Sequence, residues 1–123
     1  MTKQFYLVTY DGDQKNDLPH GKGIGKTGNG TQYDGEWNEG KIHGKGTFTW
    51  VEGYVYIGEF KNGIKEGKGT LTYPDKSKYI GEWKNDLFNG KGTFYFSNGS
   101  RYEGNWNKGK KEGFGKYIYS DGK

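Results

Sequence analysis

A five-residue pattern, Tyr-x-Gly-x-Trp, recurs along this chain at a spacing of 23 residues. Its copies begin at Tyr33, Tyr56, Tyr79 and Tyr102, with phenylalanine in place of tryptophan in the second copy, and a weaker copy begins at Tyr10. Each copy is followed by a Gly-x-Gly pair. Periods of this length are typical of stacked arrays, in which each unit buries its apolar face only against its neighbours. The chain is therefore predicted to be an extended array, which offers a binding surface more readily than an enclosed catalytic pocket.

Within one repeat, the apolar residues alternate with polar ones. Alternating positions of 33–37 share one face of a strand, and alternating positions of 44–50 share one face of the next strand. The intervening segment 38–43 is polar and contains glycine, so it is predicted to be a loop. Each repeat is therefore a β-hairpin.

The glycines suggest a register for this hairpin. Rings on one strand would lie over missing side chains on the other, which allows close packing. The expected opposite pairs are Trp37 with Gly44, Gly35 with Gly46, and Tyr33 with Phe48. The same register predicts cross-strand ion pairs on the other face. These pairs are Glu36 with Lys45, Glu59 with Lys68, and Glu82 with Lys91.

The turn between repeats is constrained by the need to keep the rings on one face. Phe94, Phe96 and Tyr102 share a face only if opposed residues have an even sum. A two-residue turn at Asn98 and Gly99 would break that parity. We therefore predict an odd-length loop, most simply three residues with glycine in a left-handed conformation. The whole chain is predicted to be all-β, an elongated, twisted, single-layer antiparallel sheet of about ten strands.

Composition supports an aromatic core. Hydrophobic residues make up only 29% of the chain, yet aromatic residues reach 18% and alanine is absent. Tyr, Phe and Trp each bury a large area, so rings can supply the apolar mass that aliphatic residues do not. The net charge is +4, with Arg101 as the single arginine, and lysine alternates with glutamate along the repeats. The absence of cysteine excludes disulfides and thiolate metal sites.

The segment Tyr33 to Gly46, with the pattern Y-x-G-x-W-x-x-G-x-x-H-G-x-G, resembles the MORN (membrane occupation and recognition nexus) repeat. The resemblance covers about residues 10–123. It implies an elongated array of β-hairpins with an aromatic-lined groove. It also implies a scaffold or partner-binding role, often at cytoskeletal, ciliary or membrane-associated sites.

The predicted units are residues 10–32, 33–55, 56–78, 79–101 and 102–123, in one domain. The first unit departs from the pattern, because Gln14 and Gly25 replace aromatics and 16–19 lengthens the loop. Residues 1–9 are assigned as a capping strand. An alternative is a capping strand at 5–10 followed by a half repeat at 18–30. At the other end, 114–119 is expected to form an uncovered edge strand, which invites pairing with another chain.

Two motifs are explained by the repeat itself. Residues 20–27 nearly match the phosphate loop G-x-x-x-x-G-K-[ST], but no helix can follow them, so nucleotide binding is not predicted. His20 and His43 occupy equivalent places before a glycine. They are interpreted as polar residues that close turns and not as metal ligands. No catalytic residue, cofactor or metal site is predicted, and the chain is not expected to be an enzyme.

The aromatic rows are the predicted functional site. We expect most of these rings to bury one another and the remainder to form an exposed apolar strip that binds a partner helix or extended segment. The predicted groove comprises Tyr33, Trp37, Phe48, Tyr56, Phe60, Tyr79, Trp83, Phe94, Tyr102 and Trp106.

Two alternatives remain open at this stage. One is peripheral membrane or phosphoinositide binding through Lys108, Lys110 and Lys111, the only basic cluster in the chain. The other is self-assembly through edge strands into homo-oligomers. Nucleic-acid binding is disfavoured because lysines of the repeats are expected to pair with glutamates. The expected location is intracellular, in the cytoplasm or at a cytoskeletal or membrane-associated structure.

Overall fold

The computed structural model describes residues 9–120, which form one ten-stranded antiparallel sheet in sequence order. None of these residues is helical. The first six strands are β1 (Thr9–Lys15), β2 (Leu18–Lys26), β3 (Gln32–Asn38), β4 (Lys41–Thr49), β5 (Val55–Lys61) and β6 (Ile64–Thr72). The last four are β7 (Lys78–Lys84), β8 (Leu87–Tyr95), β9 (Arg101–Asn107) and β10 (Lys110–Ile118). The predicted fold class is confirmed.

Each hairpin turn is shorter than the sequence suggested. In the second hairpin, Asn38 pairs with Lys41, so only Glu39 and Gly40 form the turn. Both have positive φ, 48° and 85°, as a type I′ turn requires. The predicted loop over 38–43 is therefore wrong. Ile42, which that prediction placed in the loop, is a strand residue of the core with only 7% of its surface exposed.

The register within the hairpin is confirmed at two positions and wrong at the third. Tyr33 lies opposite Phe48 and Gly35 opposite Gly46, but Trp37 lies opposite Ile42 and not Gly44. A β-bulge intervenes, in which Glu36 of β3 faces three residues of β4. Gly44 sits in this bulge with φ of +86°, a left-handed conformation that glycine adopts without steric cost. The first glycine of each Gly-x-Gly pair is thus needed for its backbone conformation and not to leave space for the tyrosine ring.

The bulge also changes the predicted ion pairs. Glu36 accepts a hydrogen bond from the backbone N–H of Lys45 (3.2 Å), and Glu59 accepts one from Lys68 (3.1 Å). The lysine side chains lie instead opposite the glutamate of the next repeat, as with Lys45 and Glu59. Within residues 9–120, the ion pairs closer than 4.0 Å are Lys65–Asp86 and Arg101–Glu103. The predicted Glu36–Lys45, Glu59–Lys68 and Glu82–Lys91 side-chain pairs are therefore wrong.

The turn between repeats is the predicted three-residue loop. Phe96 N–H donates to the Ser100 carbonyl (2.8 Å), which leaves Ser97, Asn98 and Gly99 between them. Gly99 has φ of +94°. The strands that follow keep an even sum, with Tyr95 opposite Arg101 and Phe94 opposite Tyr102. The aromatic residues of successive repeats consequently stay on one face.

The first repeat is a complete hairpin. β1 pairs with β2 through a two-residue turn at Asn16 and Asp17, so the predicted lengthened loop is wrong. The alternative half repeat starting at residue 18 is wrong for the same reason. The predicted capping strand at 1–9 lies outside the described residues except for Thr9, which begins β1.

The core is a ladder of rings on one face of the sheet. Each tyrosine of the three inner repeats, at positions 33, 56 and 79, makes an edge-on contact with the Trp-position ring of its own repeat and with that of the next. Tyr33, for example, lies 5.2 Å from Trp37 and 5.4 Å from Phe60. Tyr56 repeats the arrangement with Phe60 at 4.9 Å and Trp83 at 5.2 Å. Edge-to-face packing of this kind adds stabilisation beyond area burial.

The tyrosine rings fit only because glycine lies beneath them. A Cβ added at Gly46 would overlap the Tyr33 phenol, and one added at Gly69 would overlap that of Tyr56. The hydroxyl of each ring then donates to the backbone at the bulge, from Tyr33 to the Glu36 carbonyl at 3.0 Å and from Tyr56 to the Glu59 carbonyl at 2.9 Å. The tyrosine ring, the glycine beneath it and the bulge that accepts its hydrogen bond therefore depend on one another.

Replacing Gly69 with alanine is expected to lower the free energy of unfolding by about 3 kcal/mol or more, because the methyl group overlaps a fully buried ring. Gly63→Ala is the control. Gly63 has positive φ, which Gly69 does not, and it has open space around it, so only the backbone penalty of about 1 kcal/mol is expected. Chemical denaturation measures both. Equal losses would contradict the steric role assigned to Gly69.

The indole N–H groups tie each repeat to the preceding one. Trp37 donates to the Gly23 carbonyl (3.0 Å), Trp83 to Gly69 (3.0 Å) and Trp106 to Gly92 (3.1 Å). Phe60 occupies the equivalent place in the third repeat and has no such donor. Its equivalent acceptor is the carbonyl of Gly46, 14 residues earlier.

The variant Phe60→Trp is therefore expected to raise the free energy of unfolding by about 1 kcal/mol, the net contribution of one hydrogen bond. The reciprocal variant Trp83→Phe should lower it by a similar amount. Urea denaturation of both variants compares the gain and the loss directly. A destabilised Phe60→Trp chain would show that the third repeat differs in packing from its neighbours.

Candidate docking surface on the aromatic face

Nine of the ten predicted groove residues are buried in the core, with exposures between 0% and 8%. Only Phe94 is half-buried. These rings cover one another, because each inner tyrosine lies between the Trp-position rings of two successive repeats. The expectation that most rings bury one another is confirmed. Only the edge of the predicted groove, where Phe94 lies, is therefore accessible to a partner.

The accessible rings, together with Leu71, lie along that edge, near the loops that join each even-numbered strand to the next strand. We call this set the aromatic strip. It runs beside the turns between repeats and consists of Trp50, Tyr54, Leu71, Tyr73, Phe94, Phe96, Tyr117 and Tyr119. Aromatic residues recur at 23-residue spacing at Trp50, Tyr73, Phe96 and Tyr119. The repeat period was therefore the sequence signal for this further row of rings. Of the strip, sequence reasoning placed only Phe94 in the site.

The strip is continuous from one ring to the next. Tyr54 contacts Tyr73 at 5.5 Å, Tyr73 contacts Phe94 at 5.7 Å, and Phe94 contacts Phe96 at 4.9 Å. Phe96 then stacks on Tyr117 at 5.6 Å with an angle of 17° between the planes. Side chains locked to one another in this way lose little rotamer freedom when a partner binds.

A lysine lies beside the strip where other repeats carry Ile42 or Phe88. The ammonium of Lys65 lies over the rings of Trp50 (5.2 Å), Tyr56 (5.7 Å) and Trp83 (5.7 Å). Its side chain is only 16% exposed, and this burial lowers the pKa of Lys65, while Asp86 at 3.6 Å acts in the opposite direction. Trp50, Glu52, Tyr54, Lys65 and Leu71 line an open groove of about 450 Å³.

The basic cluster of the last hairpin is divided between two environments. Lys108 begins the turn with φ of 51°, and Lys108, Lys110 and Lys111 are all exposed. The Lys111 ammonium lies on the aromatic face, 4.7 Å from the Tyr102 ring and 5.2 Å from Tyr117. Lys111 therefore places positive charge at one end of the strip, as Lys65 does near the other.

The histidines close turns, as the sequence indicated. His20 accepts a hydrogen bond at Nδ1 from the backbone N–H of Glu39 (3.1 Å), and His43 accepts one from Asn62 (3.2 Å). Glu66 accepts from Asn85 in the same register. The phosphate-loop-like segment 20–27 lies largely in β2. No group of three potential metal ligands occurs among residues 9–120.

The opposite face of the sheet is largely threonine, glycine and charged residues, and it includes two exposed isoleucines. Ile57 and Ile80 are 57% and 41% exposed. They lie in one column with threonines, since Ile57 is opposite Thr47 and Thr70. The two isoleucines make no contact comparable to the ring-to-ring contacts of the strip, so they provide control positions for tests of it.

The arrangement defines an open repeat array that presents a surface and contains no enclosed pocket in the described part of the chain. The MORN repeat matches five consecutive stretches, residues 10–32, 33–53, 56–78, 79–101 and 102–123. The chain belongs to the MORN repeat family, whose repeats are generally non-enzymatic modules for interaction with proteins or membranes. No curated protein matches the chain. The described residues include no helix able to span a membrane.

The buried tyrosines predict alkaline unfolding. Desolvation raises the pKa of Tyr79 to about 12 and those of Tyr33 and Tyr56 further. The unfolded chain releases these protons near pH 10, whereas the native chain retains them, so stability is complete below about pH 10 and falls as pH rises above it. The lowered pKa of Lys65 has the opposite effect on stability. Between that pKa and the higher pKa of a lysine in the unfolded chain, the free energy of unfolding rises with pH.

Urea denaturation across this alkaline range is the measurement. Tyr79→Phe removes one titrating hydroxyl and is expected to make the decline less steep. A free energy of unfolding that stays constant above about pH 10 would contradict the burial of these hydroxyls.

Proposed function

We propose that this protein is a non-enzymatic scaffold that docks a partner helix or extended segment along the aromatic strip. The observation that carries the proposal is the continuity of half-buried and exposed rings from Tyr54 to Tyr119 on a chain whose remaining surface is largely polar. Exposed apolar strips bordered by polar residues are typical of protein interaction sites. The surroundings we propose are a cytoskeletal, ciliary or membrane-associated structure.

The repeat spacing supports a helical partner. One repeat contributes two strands, so equivalent strip residues are about 9.6 Å apart along the array. Seven residues of an α-helix rise about 10.5 Å, which is close to that spacing. A helix with apolar residues at i and i+7 would therefore meet successive rings, such as Trp50, Tyr73 and Phe96.

Charge beside the strip indicates the partner's chemistry. Lys65 and Lys111 flank the rings, and among residues 9–120 Lys65 has one carboxylate, that of Asp86, as an ion-pair partner within 4.0 Å. A segment that alternates apolar residues with acidic ones fits this surface. Direct hydrogen bonds to a partly desolvated lysine strengthen such recognition.

Site-specific photo-crosslinking tests the docking site. A photoreactive phenylalanine analogue replaces Tyr73 on the strip, and the same analogue replaces Ile57 on the opposite face as the control. After irradiation in lysate of the source cells, position 73 is expected to capture a discrete protein that position 57 does not. The captured protein should be retained at high salt, because apolar contacts are little screened.

Matched substitutions sharpen the result. Phe96→Ser is expected to abolish capture, whereas Ile80→Ser, an equivalent change on the opposite face, is expected to leave it intact. Circular dichroism establishes that both chains remain folded. Capture at both positions, or capture unaffected by Phe96→Ser, would exclude the strip as the docking site.

The same experiment separates the membrane alternative. Binding through Lys108, Lys110 and Lys111 should fall steeply with salt and survive Phe96→Ser. Vesicles containing anionic lipid, assayed at low and high salt, provide the direct probe. Salt-sensitive vesicle binding without a protein crosslink at position 73 would replace the docking proposal with lipid recognition.

A further inference from the structure

The sheet has two outer edges. Among residues 9–120, β1 pairs only with β2 and β10 only with β9. Two rings of β10 are exposed. Phe114 is 98% exposed, and Tyr117 is 43% exposed although its equivalent Phe48 is 8% exposed. An exposed strand edge carries unpaired backbone groups that can pair with another strand.

The junctions between repeats define one register that could continue beyond β10. In all four junctions, the residue at the position equivalent to Phe48 lies opposite the tyrosine of the next repeat. These pairs are Gly25 with Tyr33, Phe48 with Tyr56, Leu71 with Tyr79, and Phe94 with Tyr102. The next such position is Tyr117. The tyrosine with the same place in a following array would be Tyr10 of a second copy.

Extending this register assigns a partner to six of the nine residues of β10. The resulting pairs, with the second copy given second, are Gly113–Gln14, Phe114–Asp13, Gly115–Gly12, Lys116–Asp11, Tyr117–Tyr10 and Ile118–Thr9. All six keep the faces of the sheet continuous, because each pair joins the same repeat positions that are opposed at the internal junctions. The rings of Tyr117 and Tyr10 would meet on the aromatic face.

The pairing is complementary in charge. β1 carries two aspartates and one lysine, whereas β10 carries three lysines and one glutamate. In the extended register, Lys116 lies opposite Asp11, and both are exposed in the single chain. Cross-strand pairs of opposite charge stabilise a sheet, and directly opposed like charges destabilise it. Pairing β10 with a second β10 would instead bring two lysine-rich strands together.

We propose that two copies of this chain associate head to tail, with the outer edge of β10 pairing antiparallel with the outer edge of β1 of the second copy. The contact continues the sheet in the register of its internal junctions. Because the symmetry is open, the same contact can repeat along a filament. The aromatic strip from Trp50 to Phe96 stays uncovered, and only its end at Tyr117 takes part in the contact, so docking at Tyr73 and Phe96 does not depend on this assembly.

Charge reversal with exchange tests the proposal. The full-length variants are Lys116→Asp and Asp11→Lys, and the readout is sedimentation velocity over a range of protein concentrations at low salt. Each variant alone places like charges opposite each other and is expected to weaken association about tenfold. An equimolar mixture of the two variants restores opposite charges at each contact. The mixture should therefore associate more strongly than either variant alone.

Controls separate association from folding. Asp34→Lys changes the residue equivalent to Asp11 one repeat later, and Lys91→Asp reverses a lysine on the same face within the sheet. Both are expected to leave association unchanged. Because Lys116 also faces Glu103 within its own hairpin, thermal unfolding of Lys116→Asp is compared with the parent chain. Asp11 faces Ile24, so the Asp11→Lys variant tests the contact without that complication.

Three results would overturn the head-to-tail contact. One is a monomer at all concentrations. Another is a change in association caused by Lys116→Asp with no effect of Asp11→Lys, which would show that β1 is not the partner edge. The third is a mixture that associates no better than the single variants. Any of them leaves the crosslinking test at position 73 unaffected, so failure here is distinguishable from failure of the docking proposal.

Discussion

The structure depends on a tyrosine ring that lies over a pair of glycines. In each inner repeat, the ring occupies the space of two missing side chains and places its hydroxyl against the carbonyl at a β-bulge. The same ring is wedged between the Trp-position rings of its own and the following repeat. One side chain therefore fixes the bulge, the hairpin and the junction. A sheet only one layer thick can exist because this packing replaces a second layer.

The bulge determines which residues are buried and which are accessible. By advancing β4 by two residues against β3, it brings Ile42 over Trp37 and turns the carboxylate of Glu36 toward the backbone of Lys45. Lys45 is thereby available to lie opposite Glu59 of the next repeat. Burial of the inner rings in turn moves the accessible apolar surface to the strip beside the turns. The location of the candidate site is thus a consequence of the core.

The repeats are equivalent in backbone but not in chemistry. The position that holds Ile42 in one repeat holds Lys65, Phe88 and Lys111 in those that follow. Ile42 and Phe88 pack against neighbouring apolar side chains, whereas Lys65 and Lys111 place an ammonium on ring faces. A regular scaffold can in this way carry a particular pattern of charge along its strip. Recognition of a specific partner would arise from such differences and not from the shared repeat.

The sequence by itself determined the hairpin array, the strand faces and the three-residue loop at Gly99, because each follows from the 23-residue period and the parity of a strand. It did not reveal the bulge. The two roles of glycine, left-handed backbone at Gly44 and space beneath a ring at Gly46, look alike in a Gly-x-Gly pair. Only the tertiary structure decided that Trp37 is buried whereas Trp50 and Phe96 are accessible. Burial depends on contacts with the neighbouring repeats, and neither the period nor the alternation of one strand contains that information.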